Sequence, residues 1–259
     1  MNLTVTPTSL DAVHPLRELY RRELNCQIVL DSWAGRNWVD GYLCKIDDHP
    51  VGYGLVGGVR RDPVDTITEF FLLPQYREYA LPLFQQLITI SGAKVIEAQT
   101  NDNLLTLMLF DTCDHIESNV VLFHDAITTH LTVPDAVFRP ITEEDCDLFA
   151  EPRESPGNYV LEYQGKIVAD GGILFHYNLP YGDIYMDVAQ SFRRRGFGSY
   201  LIQELKRVCY EMGRVPAARC NVKNTASRAT LQKAGMLPCA RVLVGRIKKD
   251  LATEDPPQD

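Results

Sequence analysis

The order of elements in this chain is written twice, and that doubling limits the folds open to it more than any single motif does. Residues 4–6 and 10–24 read as a short strand followed by a helix; residues 137–140 and 142–150 repeat the pair, with Thr142 as the N-cap. Two strands joined by a tight turn come next in each half, residues 41–46 with 51–56 and residues 159–163 with 167–175. A further strand opening into a helix then follows: residues 66–73 with 81–90, and residues 182–189 with 199–212. The spacing is nearly constant. Tyr76-Arg77 and Phe192-Arg193 are offset by 116 residues, Val51 and Val168 by 117, and Asn103 and Asn224 by 121. This register predicts two consecutive domains of one architecture, residues 1–131 and 136–250. A short linker at 132–135 joins them, and residues 251–259 form a disordered tail.

Within the second copy, Asp187-Val188-Ala189-Gln190-Ser191-Phe192-Arg193-Arg194-Arg195-Gly196-Phe197-Gly198 reads as a strand ending in an arginine- and glycine-rich turn. Ile184, Met186 and Val188 alternate with Asp183, Tyr185 and Asp187, the period of a half-buried strand. After the turn, Leu201, Leu205, Val208 and Met212 fall on one helical face, and Gly213 marks a helix stop. Gly196 and Gly198 let backbone approach a ligand, and the first amides of the helix point at an anion that the helix dipole favours. The reading is a phosphate or pyrophosphate cradle.

Charge is distributed to suit it. Residues 1–135 carry 9 Lys+Arg against 18 Asp+Glu, and the rest of the chain 17 against 16. The net charge of −8 argues against nucleic acid as the main partner. No apolar run is long enough to span a bilayer, and the first residues lack the basic and apolar segments of a signal peptide. Seven cysteines without a Cys-x-x-Cys pair argue against a disulfide framework or a zinc site, and the six histidines show no metal-ligand spacing. A cytoplasmic monomer or homodimer without metal is expected.

Arg193-Arg194-Arg195-Gly196-Phe197-Gly198 resembles the Gln/Arg-x-x-Gly-x-Gly/Ala signature of the GNAT superfamily of N-acetyltransferases. A second block lies at the family's usual distance. Arg219-Cys220-Asn221-Val222 reads as the next strand, and Asn224, Ser227, Lys233, Gly235 and Met236 match the helix after it. The resemblance implies an α+β fold of two tandem GNAT-type domains, each a mixed, mostly antiparallel sheet flanked by helices. It also implies direct acetyl transfer from acetyl-CoA to a primary amine of a small molecule or polypeptide. CoA pyrophosphate would lie on the backbone of Arg194, Arg195, Gly196, Phe197 and Gly198, flanked by Arg193 and Ser199. Pantetheine would meet the Val188 backbone, with Asn224 and Ser227 contacting the cofactor from the second helix. In the first copy the matching turn is Arg77-Glu78-Tyr79-Ala80-Leu81-Pro82. It has no glycine, a proline without an amide donor and a repelling carboxylate, so no CoA site is expected there.

Asp183, Tyr185 and Asp187 share the strand face opposite the helix, which in this fold looks toward the acceptor. Their first-copy counterparts include Ile67 and Phe71 for Asp183 and Asp187. Carboxylates thus accompany the copy that keeps its cradle, which marks Asp187 first, and Asp183 second, as the base for an ammonium substrate. Each also reads simply as a solvated or salt-bridged strand residue. The position where many family members carry a thiolate-protonating tyrosine is Leu231. Tyr185 and Tyr200 are the substitutes to consider, each equally readable as a packing tyrosine. His176 is placed either in the acceptor cleft or on a surface loop. Trp33 and Trp38 are placed either in an aromatic acceptor wall or in packing. The competing functional readings are a non-catalytic acyl-CoA sensor and, against the acidity of the chain, a nucleic-acid patch on the arginines.

Overall fold

The computed structural model describes residues 1–151 and 156–252. They form two compact units, one comprising residues 1–120 with the chain from 240 onward, the other residues 121–239.

The first unit contains β1 (Leu3–Thr8), α1 (Leu10–Leu24), α2 (Asp31–Gly35), β2 (Val39–Ile46), β3 (His49–Gly57), β4 (Thr66–Leu72), α3 (Ala80–Ser91), β5 (Val95–Gln99) and α4 (Asn103–Thr112). Its strands β1 to β4 run antiparallel in sequence order. β4 and β5 pair in parallel, and only at Thr66↔Val95 and Ile67↔Ile96. Local chemistry sets the helix ends. The Ser9 side chain accepts the Ala12 amide at the start of α1, and Asn25 closes the helix in the left-handed region at φ 43°. The apolar face of α3 (Ala80, Leu83, Phe84, Leu87, Ile88) lies wholly in the core with Phe70 and Ile96.

β6 (Cys113–Asp125) begins in the first unit and ends in the second. There follow β7 (Ala136–Pro140), β8 (Tyr159–Tyr163), β9 (Lys166–Leu174), β10 (Tyr181–Val188), α5 (Phe197–Glu211), β11 (Val215–Asn221) and α6 (Thr225–Lys233). The strand order in this unit is β7-β8-β9-β10-β11, with β6 next to β11. All pairs from β7 to β10 are antiparallel, and β10–β11 is parallel. α5 buries Leu201, Ile202, Leu205, Val208 and Cys209 against Ile184 and Val188 of β10, and Gly213 at φ 70° ends the segment. No helix among the described residues is long and apolar enough to cross a membrane.

The units divide at 120/121 and 239/240, whereas the sequence reading runs the domains over 1–131 and 136–250. The difference lies in β12 (Met236–Ile247), whose residues Val242–Arg246 pair antiparallel with β5. Leu243 and Ile247 are buried in the first core. Period-two alternation identifies such a strand but says nothing about its partner. The expected disordered tail also starts too early: Leu251 and Ala252 belong to α7 (Lys249–Ala252), with Leu251 packed on the first core. The rest of that tail, residues 253–259, lies outside the described residues. The predicted helix at 142–150 is a 3-10 segment at Glu143–Leu148, opened by Thr142 and Asp145 in a capping box.

Candidate active site

β10 runs beside β9 over Asp183↔Leu174 to Val188↔Ala169, but beside β11 only at Tyr181↔Val215, Gly182↔Pro216 and Asp183↔Ala217. From Ile184 on the two parallel strands part, and the backbone edge of β10 beyond that point lacks a strand partner on the β11 side. The Ala189 amide donates to the Val168 carbonyl, so alternation turns the Val188 N–H and C=O away from β9 and toward the opening.

The turn sits at the wide end of this opening. A 3-10 turn at Gln190–Phe192 leads to Arg193 in extended conformation, Arg194 at φ 63° and Gly196 at φ 92°. α5 begins at Phe197 with Gly196 as its N-cap. A residue with a side chain is strained at Gly196's φ, so glycine is required there by backbone shape. The amides of Phe197, Gly198 and Ser199 have no acceptor within the helix, because the preceding turn does not exist. The Ser199 hydroxyl donates to the Gly196 carbonyl at 3.0 Å. Three N–H groups at the positive end of a 15-residue helix therefore form an anion-binding concavity.

The sequence reading gives both glycines to ligand approach; the structure separates their roles. A Cβ on Gly198 would stand 3.1 Å from Thr230 Cγ2 and 3.2 Å from Val188 Cγ2. Gly198 is therefore small so that α5 can close on β10 and α6. The three arginines divide too. Arg193 Nε donates to the Val188 carbonyl at 2.9 Å, and its Nη2 lies 3.4 Å from Asp187 Oδ1. Arg195 lies 5.2 to 5.5 Å from the ring centroids of Tyr163, Phe192 and Phe197, where its charge braces the turn. The exposed Arg194 is the arginine whose side chain none of these contacts occupies. On α6, Asn224 is the N-cap: its side chain accepts the Ser227 amide at 3.0 Å. Leu231 is buried in the second core.

Asp183, Tyr185 and Asp187 lie on the face of β10 away from α5, as their alternation with Ile184, Met186 and Val188 requires. Their surroundings differ. Asp187 is exposed, and its Oδ1 accepts the Val188 amide at 2.8 Å besides facing Arg193. Asp183 is 4% exposed and stands where β10 and β11 part. Its Oδ2 is 3.1 Å from His176 Nε2 and 3.5 Å from Arg219 Nε. The His176 approach meets an ion-pair distance but is misaligned for a hydrogen bond, and the buried Tyr177 hydroxyl likewise has no well-formed bond. Burial, then the Asp183 carboxylate, pushes the Tyr177 phenol up. Tyr185 is shifted in the same direction by burial and then by Asp170. Tyr200 is on α5, half-buried against the second core.

Two residues that the sequence reading passed over belong to this face. Asp170 on β9 is directly opposite Asp187, is 5% exposed, and its Oδ2 accepts the Gly157 amide at 2.8 Å. Its signal was a carboxylate inside the apolar run Ile167-Val168-Ala169-Asp170-Gly171-Gly172. Arg219 on β11 had no comparable signal, because only the fold brings it to Asp183. Among the described residues there is no group of three or more His, Cys, Asp or Glu that could hold a metal. Burial pushes the Cys209 thiol up to about 11, which makes it a poor nucleophile. In the first unit, Trp33 and Trp38 pack edge to face at 6.4 Å between centroids, with Arg36 over Trp38.

Residues 124–236 match the model of the acetyltransferase (GNAT) family. An acetyltransferase of the GNAT family from Colwellia psychrerythraea superposes with a TM-score of 0.69 at 16% identity, covering 95% of this chain and 100% of that one. A tandem GNAT protein from the clavulanic acid biosynthesis pathway covers 100% of both chains at 10% identity and a TM-score of 0.58. A GCN5-related N-acetyltransferase from Sphaerobacter thermophilus matches over 94% of this chain and 95% of its own, with 16% identity and a TM-score of 0.58. A sequence search of curated proteins gave no match. The tandem α+β fold is thus shared along the whole chain.

Proposed function

We propose that the second unit transfers an acetyl group from acetyl-CoA to a primary amine, and that the first unit carries no second site of this kind. The observation that carries this reading is the left-handed Gly196 turn, which sets the N-terminus of α5 at the mouth of the gap between β10 and β11. Free amides and helix dipole there suit a pyrophosphate, and a gap where β10 lacks a strand partner suits the amide-bearing pantetheine arm, which would exchange with the Arg193 and Asp187 side chains for the Val188 backbone. Phe197, Gly198 and Ser199 would hold the phosphates, with Arg194 as a mobile counter-charge. Bound acetyl-CoA supplies the activated thioester.

The chain's own residues then position the amine and handle two protons. One C–S bond breaks and one C–N bond forms; starting from the ammonium, the nitrogen loses two protons, the sulfur gains one, and the other leaves to solvent. Asp183, oriented beside His176, takes the ammonium proton through water. Asp187 serves better as a brace, because its carboxylate holds Arg193 and the Val188 amide. Tyr185 is 37% exposed on the acceptor face and, with its phenol shifted up, is the proton donor for the thiolate in place of Leu231. Calorimetric titration with acetyl-CoA, followed by CoA release across an amine panel, tests the reading; absence of acetyl-CoA binding sinks it.

The buried Leu231 favours a second reading, an acyl-CoA sensor without turnover. Binding without CoA release for any amine would establish it.

A further inference from the structure

Residues 175–180 join β9 to β10 and bring His176 and Tyr177 to Asp183, at the place where β10 and β11 part. Asp183 is 4% exposed, and its Oδ2 is shared: His176 Nε2 stands 3.1 Å away and Arg219 Nε, from β11, 3.5 Å away. The carboxylate is thereby fixed from two sides and largely withdrawn from water. Two of its neighbours reach solvent. Arg219, with 41% of its side chain exposed, cannot give up a proton. His176, with 15% exposed, can gain and lose one. Tyr177 is buried, and burial followed by the Asp183 carboxylate pushes its phenol up, so it stays protonated.

The His176 ring is set edge to face on Tyr177, with centroids 4.6 Å apart. Of its two nitrogens Nε2 is the buried one, so contact with water falls to Nδ1. A carboxylate beside Nε2 favours the tautomer with its proton on Nε2, which leaves the Nδ1 lone pair free to accept. Rotation about the last side-chain torsion would align Nε2–H with Oδ2, and catalytic hydrogen bonds commonly tighten once substrate is bound.

We infer that His176 is the proton carrier of the acceptor site: Nδ1 takes the ammonium proton from the intervening water, while Asp183 orients the ring and shares the charge. This rests on the acetyl-transfer reading above and names the group between that water and Asp183. In the step one N–H bond of the ammonium breaks and one N–H bond at Nδ1 forms, the water passing the proton on unchanged. The proton then belongs to the His176–Asp183 pair rather than to either residue. It leaves from Nδ1 to solvent, and is the one of the two that the sulfur does not gain. Asp183 acts through His176 and is a positioning residue.

The test follows CoA release by the full chain with acetyl-CoA and 2-phenylethylamine, 1,5-diaminopentane or a lysine-containing peptide. His176→Gln, and His176→Phe, which keeps a ring against Tyr177, should each lower kcat by about 100-fold while acetyl-CoA affinity stays within about twofold. Free imidazole should speed the His176→Ala variant by about tenfold or more. Asp183→Asn added to His176→Gln should slow the reaction no further, because the two residues act as a unit. A purely structural role for His176 would instead give additive losses, an active Phe variant, no rescue by imidazole or a matching loss of acetyl-CoA affinity. Any of these results overturns the inference, while turnover by the unaltered chain keeps the transfer reading. No turnover by the unaltered chain with any of the amines removes both.

Discussion

The two units reach the same junction and leave it differently. In the first, Arg77 Nε donates to the Leu72 carbonyl at 3.2 Å; in the second, Arg193 Nε donates to the Val188 carbonyl at 2.9 Å. The Leu73 and Ala189 amides bond Val51 and Val168, each at 2.9 Å. Up to this residue the copies are one structure. Beyond it, the first unit goes through a 3-10 segment, Pro74–Tyr79, straight into α3, with no positive φ between Pro74 and Ser91. The second turns left-handed twice before α5. A cradle is therefore a matter of two dihedral angles at a shared frame, and without glycine the first copy cannot adopt them cheaply.

The parted strands differ as well. In the first unit the chain's own residues fill the space beside β4 and β5. Gln99 accepts the Val29 amide and donates to the Gln27 carbonyl, and only about 10 Å³ stays open among Tyr20, Ile28, Val29, Thr68 and Gln99. Where the second unit has Asp170 and Tyr185, the first has Tyr53 and Glu69, and the Tyr53 hydroxyl donates to Glu69 at 2.7 Å. Arg17 closes the set with paired bonds to the Glu69 carboxylate and further bonds to the Asp31 carboxylate and carbonyl. Acid and tyrosine have changed places, and the first copy has spent its polar groups on one another.

The largest effect should come from breaking that closure. Arg17→Met leaves Glu69, 2% exposed, without its cation and should cost about 3–5 kcal/mol in chemical denaturation. A cost below about 1 kcal/mol would mean the cluster is not what holds the first copy shut. Next, Gly196→Val should weaken acetyl-CoA binding by about 100-fold, or about 2.7 kcal/mol, while the thermal transition shifts only slightly. Unchanged affinity in calorimetry would remove the left-handed turn from the binding account.

Asp102 gives a pH comparison. It caps α4 as Asn224 caps α6, but burial pushes its carboxyl up to about 6. The folded state holds this proton more tightly than the unfolded chain, whose carboxyl titrates near the ordinary value. Stability from Asp102 is therefore greatest in acid and falls as pH rises from about 4 to about 6. Asp102→Asn should flatten that fall and gain on the order of 1–3 kcal/mol above pH 6, read from urea midpoints across the range. A difference that grows toward acid instead would reverse the assignment. The smallest change should be Gly198→Ala, within about 1 kcal/mol and with acetyl-CoA affinity intact, because its new methyl meets Thr230 and Val188.

The duplication, the arginine–glycine turn and the face shared by Asp183, Tyr185 and Asp187 were all legible in the sequence, because strand and helix periods and required glycines are local. What was not legible depends on partners far along the chain. The register of Asn103 with Asn224 was one residue off: the capping residue that corresponds to Asn224 is Asp102. The contrast with Ile67 and Phe71 marks Asp187 ahead of Asp183, but the Asp187 carboxylate is engaged by its own backbone and by Arg193. No spacing rule brings Arg219 to Asp183, or Ile28 and Val29 to the gap in the first copy.

β12 has a consequence for how the protein is made. The first unit lacks the strand beside β5 until residues 242–246 have left the ribosome, after all of residues 121–239. The second unit holds residues 121–239 and is complete sooner. The usual N-terminus-first order of co-translational folding is therefore inverted. The amino-terminal half emerges first and is finished last, with the edge of β5 open to wrong pairings in the interval.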